Sequence, residues 1–154
     1  MAQAFTAYSF RDVNCSIVGP GLALILGQDA GVGEAGISVE LIEDKDTLVI
    51  GADGGPMHSL HAGQGGNFTV RLLKVSSQNF LLSAAYALQS ASSATWGLNT
   101  IVITDTSRGD VTTGMQCAFR RQPANTWAKD ANIVEWAFNA GRVFETLGPG
   151  TTVV

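Results

Sequence analysis

Short apolar runs separated by glycine- and proline-containing breaks recur along the whole sequence, and they restrict what the chain can fold into. Many runs alternate apolar and polar residues, which is typical of strands with one buried face. The breaks Gly19-Pro20-Gly21 and Asp53-Gly54-Gly55-Pro56 are turn sequences between such runs. The strands expected from this pattern are 5–10, 13–18, 22–26, 37–42, 47–52, 67–75, 100–104, 111–120, 133–138 and 143–147.

The stretch Gly31-Val32-Gly33-Glu34-Ala35-Gly36 has the G-x-G-x-x-G spacing of a dinucleotide-binding loop, in which a helix follows the glycines. Here the next five residues, Ile37-Ser38-Val39-Glu40-Leu41, alternate and include β-branched residues, so they predict a strand. Without a helix N-terminus there is no ready phosphate site, and the carboxylates of Asp29 and Glu34 would repel a phosphate. We therefore interpret the glycines as a loop.

Two of the expected strands, 37–42 and 47–52, are joined by the charged stretch Glu43-Asp44-Lys45-Asp46. Strands joined in this way indicate a hairpin whose tip lies in water. Both faces of the arms carry apolar residues, and a hairpin that is apolar on both sides is rarely left exposed. The pattern therefore favours burial of this hairpin against another surface.

One helix is expected from Phe80 to about Ser93, after a stretch at 76–79 that offers several N-cap residues. No Asp, Glu, Lys or Arg occurs from Val75 to Thr104, whereas a surface helix normally presents a charged face to water. The helix could lie on its own sheet or between subunits. The length of the uncharged run favours a position between subunits.

Length and charge exclude several classes of protein. A chain of 154 residues is expected to form one domain, 1–154, with a substantial core. Only 14% of the residues are charged and the net charge is −4, so there is no basic footprint for nucleic acid. Much of the surface must therefore be neutral or buried against a partner. We expect neither a signal peptide nor a membrane span, because no suitable apolar segment occurs.

The residues that could carry chemistry have simpler explanations. His58 and His61 would point to opposite faces of a strand, so a shared metal ion is not expected. Cys15 and Cys117 are interpreted as free, buried thiols. The tripeptide Arg108-Gly109-Asp110 is interpreted as part of a turn. No nucleophile or phosphate-binding motif is present, so we expect no catalytic residue, metal or cofactor.

The elements together predict a mainly β fold, built from two packed β-sheets as a sandwich or small barrel with one flanking α-helix and a projecting β-hairpin. On these residues the sequence resembles the tail tube proteins of contractile-tailed bacteriophages, most strongly from Gly31 to Trp96. Residues 33–40 resemble the start of that family's projecting hairpin, and 51–59 its return. Residues 69–79 resemble the family's strand entering a capped helix, although Ser77 stands where proline is expected, which leaves the entry angle of the helix open.

The resemblance implies a structural protein that is not an enzyme. Its subunits would form hexameric rings that stack into a hollow tube, and genomic DNA would pass through the lumen without specific binding. The implied partners are further copies of the chain, the tail sheath protein, the tape measure protein, and the baseplate and tail terminator proteins. The implied location is the virion, after assembly in the cytoplasm of the host bacterium.

Two sets of residues follow from this resemblance. The apolar hairpin and the uncharged helix would contact neighbouring subunits, and carboxylates facing the lumen would repel DNA. The expected inter-subunit residues are Ile37, Val39, Leu41, Leu48, Ile50, Phe80, Leu81 and Tyr86. The lumen-facing candidates are Asp12, Glu40, Asp53 and Glu135.

Three alternatives stay open at this point. The tube subunit of a tailocin or of a type VI secretion particle would have nearly the same sequence pattern. A monomeric β-sandwich binding module would share the strands and the glycines, but it should expose aromatic residues on one sheet. A small enzyme would require turnover or a bound ligand, which nothing in the sequence indicates.

Overall fold

The computed structural model describes residues 7–27 and 32–149. These residues form nine strands, one α-helix and two short 3₁₀ turns, Phe10–Asp12 and Ser93–Thr95. No helix in these ranges is long and apolar enough to cross a membrane. The elements are β1 (Val13–Gly19), β2 (Leu22–Gly27), β3 (Val32–Leu41), β4 (Asp46–Ile50), β5 (Pro56–Leu60), β6 (Gly66–Leu73), α1 (Gln78–Gln89), β7 (Asn99–Asp105), β8 (Asp110–Phe119) and β9 (Ile133–Thr146).

Seven of the strands form one curled antiparallel sheet in the order β2-β1-β7-β8-β9-β6-β3. The other two, β4 and β5, form a separate two-stranded sheet. Among the described elements, β4 and β5 pack extensively only against each other, so this hairpin projects from the body. The expected mainly β class, with one helix and a projecting hairpin, is confirmed.

The core lies inside the curl of the large sheet. In β6 the alternation of the sequence buries Phe68, Val70 and Leu72 completely, and each such side chain contributes about 1.5–3 kcal/mol relative to exposure. The same cluster contains Leu22, Leu24 and Leu26 from β2. Because β2 and β6 lie far apart in the strand order, the sheet must curl until both reach one core.

A bulge in β8 helps to bend the sheet. Asn99 pairs with Cys117 but Ile101 pairs with Gly114, so β8 has one residue more than β7 in this interval. Gln116 occupies the left-handed region with φ of 55°. An extra residue of this kind bends a strand and increases its local twist.

The helix packs on its own sheet, next to β2. It buries Leu82 and Ala85, and the indole Nε1–H of Trp136 in β9 donates to Asn79 Oδ1 at 3.0 Å. The helix ends at Gln89, earlier than the expected Ser93, because the chain turns there into the second 3₁₀ turn.

The expected hairpin of 37–42 with 47–52 is wrong. β3 pairs with β6, and β4 pairs with β5. Residues 42–45 connect the two sheets, so most of the charged stretch lies in this connection, and Asp46 begins β4. Lys45 Nζ donates there to the carbonyls of His61 and Gly63. The hairpin turn lies instead around Asp53-Gly54, with a φ of 87° at Gly54. Asp-Gly is a strong hairpin signal, whereas an alternating strand pattern fits any partner strand.

Three other expectations are corrected. Of the expected strand 5–10, residues 5 and 6 lie outside the described part, 7–9 have no regular structure, and Phe10 begins a 3₁₀ turn. Residues 32–36 belong to β3 and are not a loop; a register irregularity between Val32 and Ile37 accommodates the glycines. The expected strands 133–138 and 143–147 are one strand, β9, because the pairing with β8 continues on both sides of Gly141, through Ala140 with Cys117 and Arg142 with Met115.

Candidate assembly surfaces

The β4–β5 hairpin exposes apolar side chains on both faces. Every residue of β4 is exposed. The pairs Leu48–His58 and Asp46–Leu60 place Leu48, Ile50 and Leu60 on one face, with Leu60 86% exposed. The exposed Val49 and Met57 lie opposite each other on the second face. Apolar groups placed in this way find no cover from residues 7–27 and 32–149 of their own chain.

Polar contacts along the hairpin fix its two strands to each other. His58 Nδ1 lies 2.9 Å from Asp46 Oδ2, and His61 Nε2 lies 2.7 Å from Thr47 Oγ1. The two histidines thus have separate partners. Within residues 7–27 and 32–149, no group of three or more His, Cys, Asp or Glu side chains is placed to hold a metal ion.

The residues predicted for the hairpin interface fall into two groups. Leu41, Leu48 and Ile50 are exposed. Ile37 and Val39 lie on β3, where they are partly buried against the core of their own chain. Sequence reasoning missed Met57 and Leu60, because the second arm of the hairpin was assigned to the wrong segment.

The outward face of α1 is apolar and uncharged. Phe80 is 76% exposed, and Leu81 and Leu88 are also exposed. Tyr86 is partly buried, and its ring makes an edge-to-face contact with Phe119 at 5.5 Å between centroids. Tyr86 therefore contributes to the core of its own chain, while the other three side chains form an apolar stripe that the described part of the chain leaves exposed.

The outer face of β3, β6 and β9 is polar. In β6 the residues between the buried ones, Asn67, Thr69 and Arg71, point to this face. Arg71 Nε lies 3.3 Å from Glu135 Oε2 on β9, and Glu40 on β3 pairs in register with Asn67. The structure thus brings two of the four predicted lumen carboxylates, Glu40 and Glu135, to one face.

The other two predicted carboxylates lie elsewhere. Asp53 is in the turn at the tip of the hairpin, where its Oδ1 accepts the backbone N–H of Gly55 at 3.0 Å. Asp12 is in the first 3₁₀ turn, and its carbonyl accepts the backbone N–H of Thr106 at 3.1 Å.

A basic segment, which we call the basic loop (residues 120–132), connects β8 to β9. It borders an open cleft of about 690 Å³ whose lining includes Arg120, Arg121 and Glu135. Trp127 in this loop is 80% exposed, and Lys74 Nζ lies 4.9 Å from the centre of its ring. Sequence reasoning missed this surface. The available signal was three basic residues in a stretch without strand or helix periodicity.

The tripeptide Arg108-Gly109-Asp110 serves the β7–β8 turn. Asp110 Oδ1 accepts the backbone N–H of Gly148 at 2.7 Å. Arg108 Nε lies 3.9 Å from the carboxylate of Asp105, and Gly109 has a φ of 80°. These contacts agree with the interpretation of the tripeptide as part of a turn.

Cys15 and Cys117 are free and buried, as predicted. Burial raises the pKa of the Cys15 thiol to about 12. Burial also raises the pKa of Cys117, to about 11, although a backbone hydrogen bond at Ile101 opposes part of the increase. Both thiols therefore stay protonated at neutral pH and act as small apolar core residues.

Comparison with known proteins gives a family and a fold. The model of the family described as bacteriophage PhiTE tail tube protein matches residues 5–148. Among solved structures, the tube-terminating cap of the anti-feeding prophage is similar with a TM-score of 0.59 and 12% identity, over 96% of this chain and 95% of that one. No curated protein sequence matches significantly.

Two further structures have the same fold. The sheath/tube terminator of an extracellular contractile injection system, PVC, in the extended state is similar with a TM-score of 0.58 and 14% identity, over 94% of this chain and 99% of that one. A chain in the sheath–tube complex of the same system has a TM-score of 0.55 and 12% identity, with 86% and 88% covered.

Proposed function

Because the chain belongs to the bacteriophage PhiTE tail tube protein family, we propose that its copies form hexameric rings that stack into a hollow phage tail tube through which DNA leaves the capsid. The role is structural and requires neither a catalytic residue nor a cofactor. The protein would act in the virion, after assembly in the host cytoplasm.

The observation that carries the proposal is the β4–β5 hairpin. It projects from the body and exposes Leu48, Ile50, Met57 and Leu60. A monomeric protein rarely leaves apolar side chains exposed on both faces of a hairpin, and rows of exposed apolar residues mark sites of association. In a ring or a stack, a neighbouring copy would cover this surface.

The apolar stripe of α1 supports a second contact. Phe80, Leu81 and Leu88 lie outside the core on a helix without charges. We infer that this stripe meets either a neighbouring copy or the tail sheath protein. Tyr86 would act indirectly, since its packing on Phe119 fixes the helix to the sheet.

The polar outer face of β3, β6 and β9 suits the lining of a lumen. Its residues are short or charged, and its carboxylates are those of Glu40 and Glu135. Two arginines balance them: Arg71 pairs with Glu135, and Arg120 Nε donates to Asn139 Oδ1 at 3.3 Å. A face that is polar but not strongly basic would contact DNA without gripping its phosphates. Specific DNA binding is therefore not expected, and of the four predicted carboxylates these two are the better candidates.

The further partners proposed are the tape measure protein inside the tube and the baseplate and terminator proteins at its ends. A second candidate is the tube of a tailocin or other contractile injection particle. We include this candidate because the fold is similar to that of chains in an extracellular contractile injection system. The two candidates use the same surfaces and differ in what passes through the lumen.

Electron microscopy of the purified protein tests the proposal. At high concentration we expect six-fold rings or hollow tubes in negative stain, with matching large species in sedimentation velocity. Partial tubes on addition of isolated baseplates would also support it. A protein that stays monomeric at every concentration, with and without baseplates, would contradict it.

A further inference from the structure

We propose that the acidic hairpin segment of one copy, residues 41–61, docks on the basic loop of the next copy. The inference rests on the proposed self-assembly and adds the identity of the acceptor surface. Its partner is a second copy of this chain, bound head to tail. Three independent features of the structure lead to this assignment.

The first feature is the position of the two surfaces. The hairpin segment leaves the large sheet where Leu41 pairs with Gly66, at the start of β6. The basic loop ends at Ile133, which pairs with Leu73 at the far end of β6. With a rise of about 3.3 Å per residue, these two points lie about 23 Å apart. The two surfaces therefore emerge at opposite ends of one strand.

The second feature is their charge. The hairpin segment contains four carboxylates, Glu43, Asp44, Asp46 and Asp53, against one lysine. The basic loop contains Arg120, Arg121 and Lys129 against Asp130, and Lys74 reaches into it. A chain whose net charge is −4 thus concentrates opposite charges at two separate places. Complementary patches of this kind direct association and fix its orientation.

Several charged groups of the two surfaces have no ion partner among the residues that the structure describes. The hairpin lysine, Lys45, is used internally, since Nζ donates to two backbone carbonyls. Within the described ranges, Asp44, Arg121 and Lys129 have no ion pair within 4.0 Å. These groups can therefore pair across an interface without breaking an existing contact.

The third feature is that both surfaces combine charge with exposed apolar area. Trp127 and Ile133 lie in or beside the basic loop, and Leu48 and Leu60 lie on the hairpin. Tryptophan and arginine are the residues that most often dominate binding energy at interfaces. A surface that contacts a different surface on an identical chain repeats head to tail, which gives rings or filaments.

Sedimentation velocity of four charge variants tests the assignment. The loop variant is Arg121→Glu/Lys129→Glu, the hairpin variant is Glu43→Lys/Asp44→Lys, the third combines both, and the control is Arg11→Glu/Arg142→Glu. Each variant is compared with the wild type at about 50 mM and about 500 mM salt. The Debye length is several ångströms shorter at the higher salt concentration, so charge pairing across the interface is screened more strongly there. Circular dichroism establishes that each variant is folded.

We expect the loop variant and the hairpin variant each to associate at least about tenfold more weakly than the wild type at low salt. The combined variant, in which the two charges are exchanged, should recover most of the lost association. The control should associate like the wild type. The assignment is wrong if the loop variant assembles as well as the wild type, or if the control is impaired as strongly as the loop variant. In either case, rings or tubes formed by the wild type would still support the proposed function. A wild type that never associates, even with baseplates, would overturn both.

Discussion

Gln89 and Asn99 exchange two hydrogen bonds inside the protein. Gln89 Nε2 donates to Asn99 Oδ1 and Asn99 Nδ2 donates to Gln89 Oε1, each at 2.8 Å, and both residues are fully buried. Gln89 Nε2 also donates to the carbonyl of Pro20 at 3.1 Å. The last residue of α1 is thereby fixed to the start of β7 and to the β1–β2 turn, just as Asn79 fixes the first turn of the helix to β9.

Replacing one amide of this pair should destabilise the fold. Gln89→Met keeps the length of the side chain but leaves the Asn99 amide buried without its partner, which costs about 1–3 kcal/mol. We expect a lower urea midpoint at an unchanged m-value. The double variant Gln89→Met/Asn99→Leu should lose less free energy of unfolding than the two single variants together, because neither amide is left buried without its partner. Strictly additive losses would contradict a direct coupling.

Local sequence patterns predicted much of the fold. Alternation identified β1, short apolar runs identified β2 and β7, and all three agree with the structure to within one residue at each end. The uncharged Leu/Ala stretch identified α1. The pairing of strands could not be predicted in the same way. Alternating residues in β3 are compatible with β4 or with β6, and the choice depends on contacts between distant parts of the chain.

The candidate surfaces were predicted unevenly for the same reason. Leu48 and Ile50 were predicted as contact residues because their segment is apolar on both faces, and Phe80 because its helix carries no charge; all three are exposed in the structure. Leu60 was missed because its strand was not recognised. The basic loop was missed because its importance depends on where β8 and β9 place it, at the end of the sheet remote from the hairpin.

Gly114 is predicted to tolerate no side chain. A Cβ atom at this position would lie 2.4 Å from Cε2 and 2.6 Å from Cζ of Phe68, which is fully buried and has no room to move. Gly114→Ala should therefore cost about 1–3 kcal/mol in the free energy of unfolding, measured by urea denaturation. Phe68→Leu removes the ring, so the double variant should lose less than the two single losses together. Equal stability of Gly114→Ala and wild type would refute this packing.

Alkaline pH should destabilise the protein through its buried thiols. In the unfolded chain a cysteine has a pKa of about 8.5, whereas burial raises the pKa of Cys15 to about 12 and that of Cys117 to about 11 in the folded chain. Above pH ~9 the unfolded state therefore binds fewer protons than the folded state. Stability falls as pH rises through this window, by up to about 1.4 kcal/mol per pH unit for each thiol.

Urea denaturation at several pH values between about 9 and 11 measures this slope. Cys15→Ala removes one of the two thiols, so its stability should depend less steeply on pH than that of the wild type, whatever its absolute stability. Tyrosine ionisation affects both proteins alike and cancels in the comparison. Identical slopes would show that the Cys15 thiol ionises equally in both states.

The last prediction concerns the hairpin, which carries the proposed function. Leu48→Asp/Ile50→Asp places two charges on exposed positions of β4, outside the core, so the monomer should stay folded by circular dichroism and keep its thermal midpoint within a few degrees. Assembly into rings or tubes should be lost, because two apolar contacts with the next copy are replaced by carboxylates whose desolvation in an interface costs several kcal/mol. Val75→Asp/Leu147→Asp, at two exposed apolar positions outside the hairpin, is the matched control and should assemble in negative stain. Tubes of the hairpin variant that are indistinguishable from wild type would exclude this face from the subunit contact.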